Sequence, residues 1–144
     1  MGRNVSGISQ KWDLRYLDLA KHISTWSKDP STKIGSVAIG KNGQVLSQGY
    51  NGFLPSSKHV SRIRDNHEQS TVHAEQNAIS YAAKCGVSVN KCTAYITHYP
   101  CIICTRLLLA AGIESIKYLH DYKNDPLVVV FTNQLNVDVE KMPI

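Results

Sequence analysis

The chain has 144 residues, 42% of them hydrophobic, and its 16 Lys and Arg against 11 Asp and Glu give a net charge of +5. This length can bury a sizeable core in one domain covering residues 1–144. No apolar run approaches the ~20 residues that span a bilayer, and MGRNVSGISQK lacks the apolar stretch of a secretory signal, so a cytoplasmic protein without a membrane partner is expected. Gly2 and Ser6 stand in the register of an N-myristoylation signal, a pattern too permissive to carry an expectation.

In chain order, Trp12, Tyr16, Leu19, Ala20 and Ile23 recur at helical spacing, with Ser9 as a cap and Pro30 as the stop. That helix would carry both tryptophans, Trp12 and Trp26. IGSVAIG and QVLSQGYN follow, joined around KNG, and the Asn-Gly step predicts an antiparallel hairpin. Residues 53–71 are polar and weakly periodic, which predicts a long loop of the kind that often serves function. Lys58, Arg62 and Arg64 could form an anion-binding rim there, but the expectation is a solvated loop.

A helix is expected from about His73 to Cys85, closed by Gly86. TAYIT (93–97) predicts a strand, Cys101 to Ala111 a helix ended by Gly112, and SIKYL (115–119) another strand. Asn124-Asp125-Pro126 has the form of a helix cap. LVVVFTNQL after it is ambiguous, because β-branched residues favour a strand while its position favours a helix. VDVEK supplies a last short strand. The order α-β-β-α-β-α-β-α-β predicts an α/β fold: a mixed sheet opened by an antiparallel hairpin, continued in parallel and covered by helices.

Four cysteines in such a chain point to a metal or reactive thiols before a disulfide framework. Cys101 and Cys104 alone have ligand spacing, whereas Cys85 and Cys92 read as buried or incidental thiols. Two sulfurs on a first helical turn can face one point, the helix N-terminus favours their thiolate forms, and His73 opens another helix. His73, Cys101 and Cys104 thus make a three-ligand set for zinc (Zn2+) that leaves one position for water. Glu75 is placed to take that water's proton and deliver it to the atom under attack. A structural zinc would want a fourth protein ligand, for which Cys92 or His98 could serve, but it leaves Glu75 without a role. H-x-E followed by P-C-x-x-C is the signature of zinc nucleobase deaminases.

At these residues the chain resembles the cytidine deaminase superfamily, and within it the deoxycytidylate (dCMP) deaminase family. The matching segments are SKDPSTKIGSVAI (27–39), GYNGF (49–53), VHAEQNAI (72–79), THYPCIIC (97–104) and HDYKNDP (120–126). The resemblance implies a three-layer α-β-α fold on a five-stranded sheet, and hydrolysis of dCMP to dUMP and ammonia. It implies zinc on His73, Cys101 and Cys104, with Glu75 as the proton shuttle. It further implies Asn51 on the sugar, the Ala74 backbone on the pyrimidine carbonyl and the Thr97–His98 backbone around the departing amino group. Ser31, Thr32 and Lys33 fall near the 5′-phosphate, and Tyr122 would close over the nucleotide.

Many members are homo-oligomers, hexamers above all, activated by dCTP and inhibited by dTTP at a second site built partly on the turn that is Gly49, Tyr50, Asn51 and Gly52 here. A hexamer or dimer, and Mg2+ accompanying an effector triphosphate, follow as expectations. Leu54 intervenes before Pro55, a departure from the family pattern that leaves dCTP or a 5-substituted dCMP open as substrate. The loop lacks the additional cysteines of members with a second zinc. A different class, a deaminase of tRNA adenosine or single-stranded DNA, fits the basic charge. It would need a groove with aromatic platforms, and a chain with two Phe and two Trp does not favour it.

Overall fold

The structure, a computed structural model, describes residues 9–143; Gly2 and Ser6 lie outside them. Helix α1 (Gln10–Ser24) precedes the hairpin of β1 (Gly35–Ile39) and β2 (Val45–Tyr50). Between β2 and helix α2 (Ala74–Lys84) run four two-residue strands: β3 (Gly52–Phe53), β4 (Ile63–Arg64), β5 (His67–Glu68) and β6 (Thr71–Val72). Strand β7 (Thr93–His98), helix α3 (Ile102–Ala110), strand β8 (Ser115–His120), helix α4 (Leu127–Gln134) and strand β9 (Asp138–Lys141) complete the order.

The main sheet has five strands in the order β2-β1-β7-β8-β9. β1 pairs antiparallel with β2 and β7, while β7–β8 and β8–β9 are parallel, so the sheet is mixed as expected. Every residue of β1 is buried, as suits a central strand covered on both faces. Alternation divides its side chains between two cores. Val37 and Ile39 meet Leu17, Ala20 and Ile23 of α1, together with Tyr95 and Leu119. Ala38, Ala94, Ile96 and Ile116 meet Ala82 of α2 and Leu108 of α3. Helix α4 seats Val128 against Tyr99 and Tyr118.

Two elements differ from the sequence expectation, and a third, left ambiguous, is decided by the structure. Helix α1 stops at Ser24, six residues before Pro30, and leaves Trp26 beyond its end. The hydroxyls of Ser24 and Thr25 donate to the carbonyls of Lys21 and His22 (2.5 and 2.6 Å), and tighter backbone bonds from Trp26 to Ile23 and Ser27 to Ser24 close the last turn.

The stretch read as a loop is a β-arm, with β3 on β6 and β4 on β5. Asp65 and Asn66 turn its tip with φ of 52° and 64°, the left-handed pair that a tight hairpin demands. Glu68 braces it by accepting from the amides of Arg62 and Ser70 (both 2.9 Å) and from the Ser61 hydroxyl, bonds that lower its pKa to about 2.

The ambiguous segment is helix α4, because Asp125 caps the Leu127 amide (2.9 Å) and Val128 and Thr132, one turn apart, are both buried. Among the described residues no helix is long and apolar enough to cross a membrane.

Candidate active site

β6 delivers the chain to His73, the N-cap of α2, with φ −71° and ψ 157°. The His73 amide donates to Gln76 Oε1 (2.9 Å), and its carbonyl accepts the Asn77 amide (2.9 Å). Strand β2 fixes the same helix from below. Ser47 Oγ donates to the Ala78 carbonyl (2.6 Å) and Asn77 Nδ2 to the Tyr50 carbonyl (2.8 Å). Gly49 is required at this crossing, since a Cβ there would lie 2.4 Å from the Ala74 carbonyl oxygen and 2.5 Å from the Ala78 nitrogen.

Cys101 caps α3, its sulfur accepting the Cys104 amide (3.4 Å), and Thr105 closes the turn on the Cys101 carbonyl (2.9 Å). The two helix starts converge. His73 Nδ1 lies 3.3 Å from Cys104 Sγ and 3.6 Å from Cys101 Sγ, and all three ligand atoms fall within 4.8 Å of one another. A tetrahedral zinc with ordinary bond lengths puts its N and S ligands about 3.5 Å apart, so the group fits zinc. The thiols contend for their shared hydrogen bond, which draws Cys101 down to about 4 and pushes Cys104 up. A divalent cation lets both ionise. Cys85 is exposed and Cys92 is buried, and neither joins the group.

Glu75 is 4% exposed, and burial raises its pKa to about 7 from an ordinary 4.5, with the Cys101 charge adding to the rise. It sits in the wall of a cavity of about 230 Å³ lined by Asp29, Ser31, Thr32, Ile34, Asn51, Thr71, Val72, His73, Ala74, Glu75, Tyr99, Cys101 and Tyr122. One side of this cavity is a stapled loop. Asn51 Oδ1 accepts the Ile34 amide and Nδ2 donates to the Thr32 carbonyl (both 2.8 Å). Asp29 Oδ1 accepts the amides of Ser31 and Thr32 (2.8 and 3.0 Å), and Ser27 Oγ donates to the Asn51 carbonyl (2.7 Å). Tyr122, also in the lining, stands edge-on to His98 at 5.6 Å.

Ser31, Thr32, Asn51, Ala74 and Tyr122 therefore share the cavity with the His–Cys–Cys group, whereas Lys33, Thr97 and His98 stand outside its lining. Thr97 Oγ1 accepts the Gly35 amide (3.1 Å) and lies 2.7 Å from His98 Nδ1. His98 is tilted against His120 at 5.2 Å, and burial followed by the His120 charge lowers its pKa. Of the turn 49–52 only Asn51 lines the cavity. Tyr50 presents its ring edge-on to Trp26 at 6.0 Å. Asp29, Ile34, Thr71, Val72 and Tyr99 line the site without having been singled out from the sequence. Asp29 and Tyr99 lie inside quoted motifs, where a polar residue before Pro30 and an aromatic one before Pro100 were the available signal.

A buried carboxylate beside a His–Cys–Cys group at two helix starts, on a mixed sheet layered with helices, defines the site of a zinc-dependent hydrolytic deaminase. Residues 10–120 match the family model described as the cytidine and deoxycytidylate deaminase zinc-binding region. The chain belongs to the cytidine and deoxycytidylate deaminase family. It is 30% identical over 137 residues to ComE operon protein 2 of Bacillus subtilis, covering 92% of this chain and 72% of that one. A probable deoxycytidylate deaminase of Caenorhabditis elegans is 35% identical over 113 residues, 74% of this chain and 56% of that one. The dCMP deaminase of cyanophage S-TIM5, solved with dCMP and dUMP, superimposes with a TM-score of 0.82 at 30% identity over 94% of this chain and 99% of its own.

Proposed function

We propose that the chain is a single-domain enzyme that hydrolyses dCMP to dUMP and ammonia. The observation that carries this reading is Glu75, buried in a nucleotide-sized cavity against the convergent ligand atoms of His73, Cys101 and Cys104. The likeness to a cyanophage dCMP deaminase along nearly both whole chains supports the choice of substrate.

His73, Cys101 and Cys104 would hold the zinc, which when bound acidifies water enough to make it a nucleophile near neutral pH. Glu75 takes one proton of the attacking water and passes it to N3 of the cytosine ring as the water oxygen bonds to C4. It then carries the second proton from that oxygen to the amino group, which leaves C4 as ammonia while the oxygen becomes the carbonyl. Ala74 offers its backbone amide to the pyrimidine carbonyl. Asn51, already fixed at both ends of its carboxamide, holds the sugar from the stapled loop. Ser31 and Thr32, with Lys33 beside them, face the 5′-phosphate, and the Thr97–His98 backbone borders the leaving group. Tyr122 covers the nucleotide and excludes water. Effector control by dCTP and dTTP with Mg2+ and assembly into a homo-oligomer carry over from the family resemblance, and a cytoplasmic location from the sequence reading.

Ammonia release by the zinc-loaded protein tests this reading. The substrates are dCMP, dCTP, 5-hydroxymethyl-dCMP, deoxycytidine and a short single-stranded oligonucleotide, each with and without dTTP. Turnover of dCMP damped by dTTP is the expected result. Activity on the oligonucleotide alone would sink the free-nucleotide reading.

A further inference from the structure

Strand β7 ends in Thr97 and His98, whose side chains make a contact that the proposed reaction does not use. Thr97 is 2% exposed, so its hydroxyl has to find its partners inside the protein. Its Oγ1 accepts the Gly35 amide (3.1 Å), which occupies a lone pair and leaves the hydroxyl hydrogen to be placed. Among the described residues the acceptor within its reach is His98 Nδ1, at 2.7 Å. Thr97 therefore donates to Nδ1, and the ring proton of His98 resides on Nε2. Burial and the His120 charge disfavour a second proton on this ring, so its neutral form is the one whose tautomer counts.

The tautomer matters to the rings around it. His98 and His120 are partners in the parallel register of β7 and β8, and their rings lie 5.2 Å apart. Tyr122, in the cavity lining, meets His98 at 5.6 Å with the two ring planes 80° apart. With Nδ1 turned to Thr97, the rest of the His98 rim carries hydrogens only, at Cε1, Nε2 and Cδ2. A positive rim suits the negative faces of neighbouring aromatic rings, whereas the other tautomer would put a bare nitrogen lone pair there. The His98 side chain is itself outside the lining, so it acts on the cavity through Tyr122.

We infer that His98 is a positioning residue, locked by the Thr97 hydroxyl as its Nε2–H tautomer so that it holds the Tyr122 ring in the cavity wall. This deepens the proposed function, in which Tyr122 covers the nucleotide, and rests on it. The lock ties that cover to the rigid centre of the sheet, because Gly35 and Thr97 belong to the adjacent strands β1 and β7.

The test is heteronuclear NMR of the His98 ring in histidine-labelled, zinc-loaded protein, with calorimetric binding of dUMP as the second readout and dCMP turnover measured on the wild type. The wild type should show the Nε2–H tautomer alone. Thr97→Val should lose that uniformity and Thr97→Ser should keep it. An edge-to-face ring contact is worth roughly two- to tenfold in an equilibrium constant. His98→Leu should therefore weaken dUMP by about that factor, His98→Phe should recover most of the loss, and in a Tyr122→Leu background His98→Leu should change nothing further. An Nδ1–H tautomer in the wild type, a tautomer indifferent to Thr97→Val, or equal weakening by His98→Leu in both backgrounds would overturn the inference. A wild type that shows the tautomer and the coupling to Tyr122 without turning over dCMP would keep the positioning role and discard the proposed reaction. Turnover of dCMP without the tautomer would do the reverse.

Discussion

Gly49 separates two accounts of the turn 49–52, one in which its residues contact an effector and one in which they seat a helix. An added Cβ would meet the Ala74 carbonyl oxygen at 2.4 Å and the Ala78 nitrogen at 2.5 Å, where ordinary contact begins at 3.4 Å. Both atoms are helix backbone, so relief requires the first turn of α2 to move outward by about 1 Å. Ser47 and Asn77 hold that turn to β2 and oppose the movement. Overpacking of this kind costs roughly 1–3 kcal/mol, which for a domain of this size lowers Tm by about 3–10 °C. The displaced turn carries His73 and Glu75, and a 1 Å misplacement can cost about 100-fold in rate.

Gly49→Ala should therefore lower both Tm, read by circular dichroism, and kcat for dCMP. Gly52→Ala should leave Tm within about 1 °C, because a Cβ there meets nothing closer than Tyr50 Cε2 at 3.8 Å. A Gly49→Ala protein with unaltered Tm and kcat but a changed response to dTTP would refute the packing argument. Gly49 would then belong to an effector contact.

Glu75→Gln should reduce kcat about 100- to 10,000-fold with dUMP affinity retained, and full turnover in this variant would sink the proton-shuttle role. Burial raises the Glu75 pKa from 4.5 to about 7, so in zinc-free protein its contribution to stability is complete below pH 4.5 and is lost as pH rises to about 7. The loss amounts to about 3 kcal/mol, and urea titrations of zinc-free wild type and Glu75→Gln should diverge across that window. Dialysis against a chelator should abolish ammonia release, and Cys101→Ser or Cys104→Ser should lower zinc content measured by plasma emission; activity in zinc-free protein would refute the metal's role. Beneath α1, Lys117 is 1% exposed between Asp13 (3.5 Å) and Glu140 (2.7 Å), and Asp13 also accepts from Tyr95 OH (2.5 Å). Asp13→Ala should cost about 3–5 kcal/mol in urea unfolding, and adding Lys117→Met should restore most of it.

What was legible in the sequence was what local chemistry decides. Asn42-Gly43 marks the hairpin because Gly43 must take φ 86°, and Gly86 and Gly112 end their helices at φ 73° and 92°. The ligand spacing was legible because Cys101 and His73 each occupy a helix N-cap, a local feature. The β-arm was not, because two-residue strands are too short to show a period of two, and its shape depends on the carboxylate of Glu68 gathering residues 61–70. Helix α4 was undecided because its valines suit either state. The Asp125 cap and the contact of Val128 with Tyr118 decide it, and the second of these belongs to the tertiary structure. Asp29 and Tyr99 escaped notice for the same reason. Each becomes part of the site only when the stapled loop faces the end of β7.

Two opposing fields act on Glu75, and their magnitudes decide its state. It lies in the first turn of α2, where the helix dipole favours a carboxylate by about 0.3–1 kcal/mol. Burial acts the other way, and a rise from 4.5 to about 7 corresponds to about 3 kcal/mol against the charged form. Burial outweighs the dipole in the zinc-free protein, so the carboxyl there holds its proton to a higher pH than an ordinary carboxylate. Cys101 faces the reverse balance, since it is drawn to about 4 by its bonds to Cys104 and His73 despite being half-buried. The same pair of helix ends thus holds one acid close to its proton and another far from it. That difference arises from burial and hydrogen bonding, because the helix ends exert a field of the same sign on both.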